Sequence, residues 1–271
     1  DYDNIPQDPL NPLTGAKVEV GKLIYHDPAF ATEGIALRAK TWSCASCHHA
    51  RAGFKSGMIQ GIGEGGEGFG LKGETRGWFD PEIGTQDADV QPVTSPTILN
   101  VAFQDVMLWN GQLGNASNGI INVGIDPEIL MTEGTPKVAN AEGLSGIETQ
   151  AIAGTGVHRI LGFPPELEDS DYYQMLLDAF PEYSRDELHK SSTRAIAAFE
   201  RTVLANQSPF QLWLRGNTDA MSEREIAGAE VFFGDGGCVA CHQGAAFSSP
   251  IGATADQVFF AVGFADLDFN E

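Results

Sequence analysis

Cys44-Ala45-Ser46-Cys47-His48 is the stretch on which the reading of this 271-residue chain turns, and Cys238-Val239-Ala240-Cys241-His242 repeats it near the other end. Each matches Cys-x-x-Cys-His, the pattern of c-type haem attachment. Two cysteines at that spacing reach the two vinyl carbons on one edge of a haem, and the adjacent histidine is then held under the iron. The chain has four cysteines, and the two motifs use them all. Two other readings of the cysteines are a thioredoxin-like redox pair and a single four-cysteine zinc site. Neither requires a histidine directly after the second cysteine, and here one follows twice. The pattern therefore predicts two covalently bound haem c groups, with His48 and His242 as iron ligands.

Working outward, the length suits one large or two modest domains. A hydrophobic content of 42% places the chain among globular proteins, and no run of about 18 apolar residues is present to span a membrane. Covalent haem attachment is an export-side process, so the periplasm is expected, with any secretory signal absent from the chain as it stands. The net charge is −21. Nucleic acid, which needs clustered Lys and Arg, is a poor partner for such a surface. The acidity either attracts a basic electron carrier or serves solubility alone.

Residues 1–16 read as an extended arm. A short helix is expected from about Ala16 to Tyr25, ended by His26-Asp27-Pro28, and a second one around residues 34–40. The segment from Gly57 to Gly73 carries eight glycines, its two ends included. The run Gly61-Ile62-Gly63-Glu64-Gly65-Gly66 has dinucleotide-fingerprint spacing. It lacks a preceding strand and a following helix, so it reads as a mobile loop near the first haem. Residues 114–146 look like a polar insertion. In the second half, Ser170 can cap a helix carrying Tyr173, Leu176, Leu177 and Phe180. Ser184 with Glu187 and Ser222 with Glu225 form capping boxes. The first opens a helix expected to run to Asn206, and the second a helix that Gly234 to Gly237 stops just before Cys238. The predicted fold is mainly α with long loops and little β. It would have two cytochrome-c-like haem domains, residues 1–182 and 183–271, the second apparently truncated.

Several segments carry a family resemblance. Val20-Gly21-Lys22-Leu23-Ile24-Tyr25, Ser43 through His48, Ser95-Pro96-Thr97-Ile98-Leu99-Asn100, Trp109-Asn110-Gly111-Gln112, Ala195 to Leu204, Ser208-Pro209-Phe210 and Gly228 through His242 together resemble the bacterial dihaem cytochrome c peroxidases, which include the MauG-like enzymes. The resemblance implies that the haem on His48 reduces hydrogen peroxide and that the haem on His242 transfers electrons. A small cytochrome c or cupredoxin would be the donor, and a homodimer or larger complex is open. It further implies that Trp109 relays electrons between the haems and that Gln150 lies in the distal pocket. Where the family has a distal acid/base Glu, His158 aligns here. A neutral histidine can carry the proton; His158 could equally bind the iron as a sixth ligand, or be an ordinary surface residue. Glu148 is a reserve acid/base candidate.

Other departures bear on regulation and metals. No histidine occurs between His49 and His158, where the family's inhibitory loop histidine would lie. Thr94 stands at an asparagine that helps bind interdomain calcium, and Asn110 and Gln112 replace an Asp and an Arg. The 29 residues after His242 contain no Met, His, Lys or Tyr to serve as sixth ligand of the second haem; the chain as given is then incomplete, or a partner or water takes that position. Two rival functions remain alongside peroxide reduction: MauG-like oxidation of a protein partner, and a non-catalytic electron-transfer subunit.

Overall fold

In the computed structural model, the described residues are 2–32, 34, 39–68, 73–78, 87–104, 106–108, 113–114, 144–160, 163–244 and 246–248. Among the described residues six α-helices carry the fold: α1 (Gly15–His26), α2 (Gly146–Val157), α3 (Asp171–Ala179), α4 (Leu188–Arg201), α5 (Pro209–Leu214) and α6 (Glu223–Phe233). Strand among those residues is confined to two short antiparallel pairs. β1 (Gly66–Glu67) pairs with β2 (Gly77–Trp78), and β3 (Val106–Met107) with β4 (Leu113–Gly114). The mainly helical reading holds.

Local chemistry sets the helix ends. The Thr14 hydroxyl accepts from the Lys17 amide at 3.2 Å and opens α1, an N-cap that satisfies one of the first turn's free donors. Asp27 closes α1 and caps the Pro28–Phe30 turn after it. The Ser184/Glu187 and Ser222/Glu225 boxes both form, with α4 and α6 following them. Helix α4 stops at Arg201, short of the expected Asn206. Asn100 captures the chain beyond it: its amide donates to the Val203 carbonyl at 2.9 Å, and its Oδ1 accepts from the Ala205 amide at 2.8 Å. Those bonds replace the next helical turn. The second short helix expected around 34–40 falls largely on residues outside those described, as do Trp109 to Gln112 and most of the insertion.

Helix α4 is the centre of the core and is buried on nearly every side. Its buried Ser191, Ser192 and Thr193 hydroxyls bond back to carbonyls three or four residues earlier, so they do not need outside partners. Helices α1, α2 and α3 all pack on it. Gly21 permits the α1–α4 crossing: a Cβ there would collide with the Ala195 carbonyl. One buried cluster thus takes in residues of α1, α2, α3 and α4. The N-terminal arm is also fastened to it. Asn11 is fully buried and donates to Glu148 at 3.1 Å and to the Arg194 carbonyl at 3.0 Å.

The glycine-rich segment folds around a cation. Arg76, 1% exposed, donates to the carbonyls of Ile62 at 2.5 Å, Gly63 at 2.8 Å and Gly68 at 3.2 Å. Carbonyls, rather than amides, turn toward the centre of this loop, which is the reverse of a phosphate cradle. The rejection of a dinucleotide site therefore stands.

Candidate functional site

The two Cys-x-x-Cys-His motifs adopt one local structure. Cys44–Ser46 and Cys238–Ala240 are each a single 3₁₀ turn. The His48 amide donates to the Cys44 carbonyl at 3.0 Å, and the His242 amide to the Cys238 carbonyl at 2.9 Å. The likeness continues past the motif. Nδ1 of His48 lies 3.1 Å from the Phe54 carbonyl, and Nδ1 of His242 lies 3.0 Å from the Phe247 carbonyl. With Nδ1 donating, Nε2 of each ring keeps its lone pair for a metal. Phe54 and Phe247 both sit in the left-handed region, at φ of 56° and 54°. That conformation is costly for a bulky side chain, and its occurrence at matching points of both motifs marks the carbonyls as built for this role.

His48 opens onto a cleft walled in part by α2 and α4. Burial pushes the His48 imidazole down, and the nearby His158 adds to this, so the ring is neutral, as a metal ligand must be. Burial pushes the Cys44 and Cys47 thiols up to about 12. Among the described residues, which include all four cysteines, no group of three or more His, Cys, Asp or Glu could hold a metal ion. The Thr94 hydroxyl donates to the Ile59 carbonyl at 2.8 Å.

The cleft fits a haem joined at Cys44 and Cys47. Besides those two residues and His48, its wall holds the hydroxyls of Tyr25 and Ser95. Both are buried without a hydrogen-bond partner. Orphaned buried hydroxyls are rare and call for a missing partner; a polar group on a haem edge would satisfy them. The remaining wall is largely apolar, with Trp42, Ile98, Ile160 and Ile196.

Helix α2 brings the expected distal residues to the same cleft. Gln150, Gly154 and His158 follow one another at intervals of four, on one helical face, and all three line it. His158 caps the C-terminus of α2. Its carbonyl accepts from Trp42 Nε1 at 2.8 Å, and its Nδ1 lies 2.9 Å from Asp89 Oδ2. Its side chain is 30% exposed and joins the wall of the cleft.

Glu148 goes elsewhere. Two residues before Gln150 it points across the helix, is fully buried, and pairs with Arg201 through Oε2 at 2.6 Å and Oε1 at 3.0 Å. As a reserve acid/base it is corrected to a core ion pair. Trp109 lies outside the described residues.

The sequence reading missed three polar side chains of this cleft. Asp89 and Gln91 come from the glycine-rich half, far from any helix. Glu200 comes from α4, whose apolar stripe drew attention away from it. Burial pushes the Glu200 carboxyl up to about 8, the Glu148 charge adds to this, and Arg201 opposes it.

The second motif stands beside another hollow, walled by Phe210, Trp213, Phe233 and Phe247. The Phe232 ring centre is 6.2 Å from that of His242. Among the described residues no helix is long and apolar enough to cross a membrane.

The sequence profile of the family described as di-haem cytochrome c peroxidase matches residues 15–219. The cytochrome c peroxidase Ccp of Escherichia coli (strain K12) is 26% identical over 274 residues, covering 98% of this chain and 47% of the relative. The methylamine utilization protein MauG of Methylorubrum extorquens is 23% identical, covering 89% of this chain and 53% of the relative. The chain spans about half the length of these curated relatives. Among solved structures, a MauG-like protein associated with microbial copper homeostasis superposes with a TM-score of 0.51 at 22% identity. That match covers 89% of this chain and 56% of the other, and it supports the fold.

Proposed function

The chain belongs to the di-haem cytochrome c peroxidase family, and from that premise we propose that it is an oxidoreductase reducing hydrogen peroxide to two waters with two electrons and two protons. Its place would be the periplasm. The reaction site is the cleft in which His48 shares walls with His158 and Gln150, and that juxtaposition carries the reading.

In this reading Cys44 and Cys47 hold one haem c, and Cys238 and Cys241 hold the other. The iron over His48 supplies the redox chemistry at the peroxide bond when the group is bound. The chain's own residues do the rest. His48 presents Nε2 to the iron because Phe54 occupies Nδ1. His158 takes the proton from the peroxide oxygen that approaches the iron and returns it to the departing oxygen, a transfer of the kind worth about 10²–10⁴ in rate. Gln150 offers an amide donor beside it. Apolar walls around Trp42 and Ile98 keep bulk water from competing. Electrons would come from a small cytochrome c or cupredoxin attracted by the acidic surface, and Cys238, Cys241 and His242 would hold the haem that receives them. Trp109 is the proposed relay between the two haems.

The test mixes the full haem-loaded chain with peroxide and a reduced small cytochrome c, alongside Cys44→Ser/Cys47→Ser and His158→Ala. Intact mass should count two haems in the parent and one in the cysteine variant. Peroxide turnover should disappear in the cysteine variant and fall about a hundredfold in H158A. Two low-spin haems inert to peroxide would leave only an electron carrier. Peroxide-dependent modification of a co-purifying protein, with no cytochrome oxidised, would transfer the chain to the MauG-like activity.

A further inference from the structure

We infer that Asp89 is the positioning residue that fixes which nitrogen of His158 is free to take a proton. The inference rests on the reading of His158 as proton carrier. Asp89, Val90 and Gln91 run as a short extended piece clamped to the glycine-rich loop. The Gly63 amide donates to the Asp89 carbonyl at 2.8 Å, the Asp89 amide to the Glu64 carbonyl at 3.1 Å, and the Gln91 amide to the Gly61 carbonyl at 2.9 Å. Alternation along that extended piece sends the side chains of Asp89 and Gln91 the same way, and both line the cleft with His158.

The bonds around the ring decide the tautomer. His158 Nδ1 is 2.9 Å from Asp89 Oδ2 and 3.2 Å from Gln91 Nε2. A carboxylate only accepts and an amide nitrogen only donates, so Nδ1 can satisfy one of them. Gln91 Nε2 has a better acceptor in Asp89 Oδ1, at 3.0 Å. Nδ1–H therefore donates to Asp89, Gln91 steadies the other carboxylate oxygen, and Nε2 keeps its lone pair. An orienting carboxylate behind a general base is the arrangement that holds an imidazole in its working form.

Two further features make the seat specific. Gly63 has no side chain, and a Cβ there would overlap the Asp89 carboxylate. On the other side the backbone is locked: Arg159 adopts φ of 55°, and its guanidinium is held by the Glu64 carboxylate and by the Asp87 carbonyl at 2.6 Å. The ring is thus gripped through its carbonyl by Trp42, through its neighbour by Glu64, and through Nδ1 by Asp89.

The experiment uses the haem-loaded chain in its ferric state, with hydrogen cyanide and hydrogen peroxide as separate probes in stopped flow. Each must give up a proton at the site as it binds. Wild type, Asp89→Asn, Asp89→Glu, Gly63→Ala and His158→Ala are compared, with haem content and resting spectrum recorded for each. The expectation is that D89N slows association of both probes by about tenfold to a hundredfold, with the resting spectrum unchanged. D89E recovers most of the loss, and G63A, which displaces the carboxylate, behaves like D89N. If D89N does not fold, G63A and D89E carry the comparison. Wild-type rates in D89N and G63A beside slow H158A overturn the role of Asp89 alone. A slow D89N that D89E does not rescue, with an altered resting spectrum, reduces Asp89 to a structural part and overturns it too. Wild-type rates in H158A, or a low-spin haem turning high-spin there, overturn the proton-carrier reading beneath it.

Discussion

Replacing Glu200 by glutamine should make the protein more stable, and increasingly so as the pH rises. The carboxyl is buried in the wall of the first haem cleft, beside the Glu148 charge, and its proton is held until about pH 8 instead of the usual 4.5. Below pH 4.5 the folded and unfolded chains both carry that proton, and Glu200 has no effect on the balance. Above it the unfolded chain releases the proton while the folded chain retains it. Stability then falls by about 1.4 kcal/mol per pH unit until the folded carboxyl itself ionises. Between 4.5 and about 8 the loss reaches about 5 kcal/mol, of which about 3 kcal/mol is already present at pH 7. Glutamine keeps the size and the donor of the protonated acid and has no proton to lose. Thermal unfolding of wild type and E200Q at half-unit steps from pH 4.5 to 8.5 would read this directly. At about 2–4 °C per kcal/mol for a chain of this size, the E200Q midpoint should lie roughly 6–12 °C higher at pH 7 and level with wild type near pH 4.5. A difference that stays constant across the range, or grows toward acid, would refute the argument.

Two further outcomes follow from packing. Glu148→Gln breaks the buried pair with Arg201 and leaves its charge without compensation, so unfolding should be easier by about 3–5 kcal/mol; peroxide association should keep its wild-type rate, since Glu148 is not in the cleft. Gly21→Ala places a methyl group against the Ala195 carbonyl at the α1–α4 crossing, and should cost about 1–3 kcal/mol in a denaturant titration or prevent accumulation of folded protein.

What could be read from the residues alone was whatever is decided within a few positions. The Ser184 and Ser222 boxes and the Asp27-Pro28 stop are of this kind, and each formed as expected. Gln150 and His158 needed only the helical period to come together. The same period places Glu148 on the far side, and applying it would have excluded that residue. The end of α4 was misjudged because Asn100, a hundred residues earlier, competes for its last carbonyls and amides. Asp89 and Gln91 do alternate with Ala88, Val90 and Pro92, but so short an alternation does not disclose its partner, and the glycine-rich loop that holds the piece extended is reached only in the fold. Glu200 sits in a helix buried all round, where periodicity does not single out one face.

The paired Phe54 and Phe247 carbonyls have an implication for how these centres tolerate change. The acceptor that orients each motif's imidazole belongs to the main chain, so exchanging the side chain does not delete it. Under the proposed function, selection could vary what surrounds each haem while the grip on the two rings persists. The vulnerable property is instead the unusual backbone twist. A branched residue such as valine or isoleucine at 54 or 247 would resist it most, loosening the histidine without touching any residue that contacts iron.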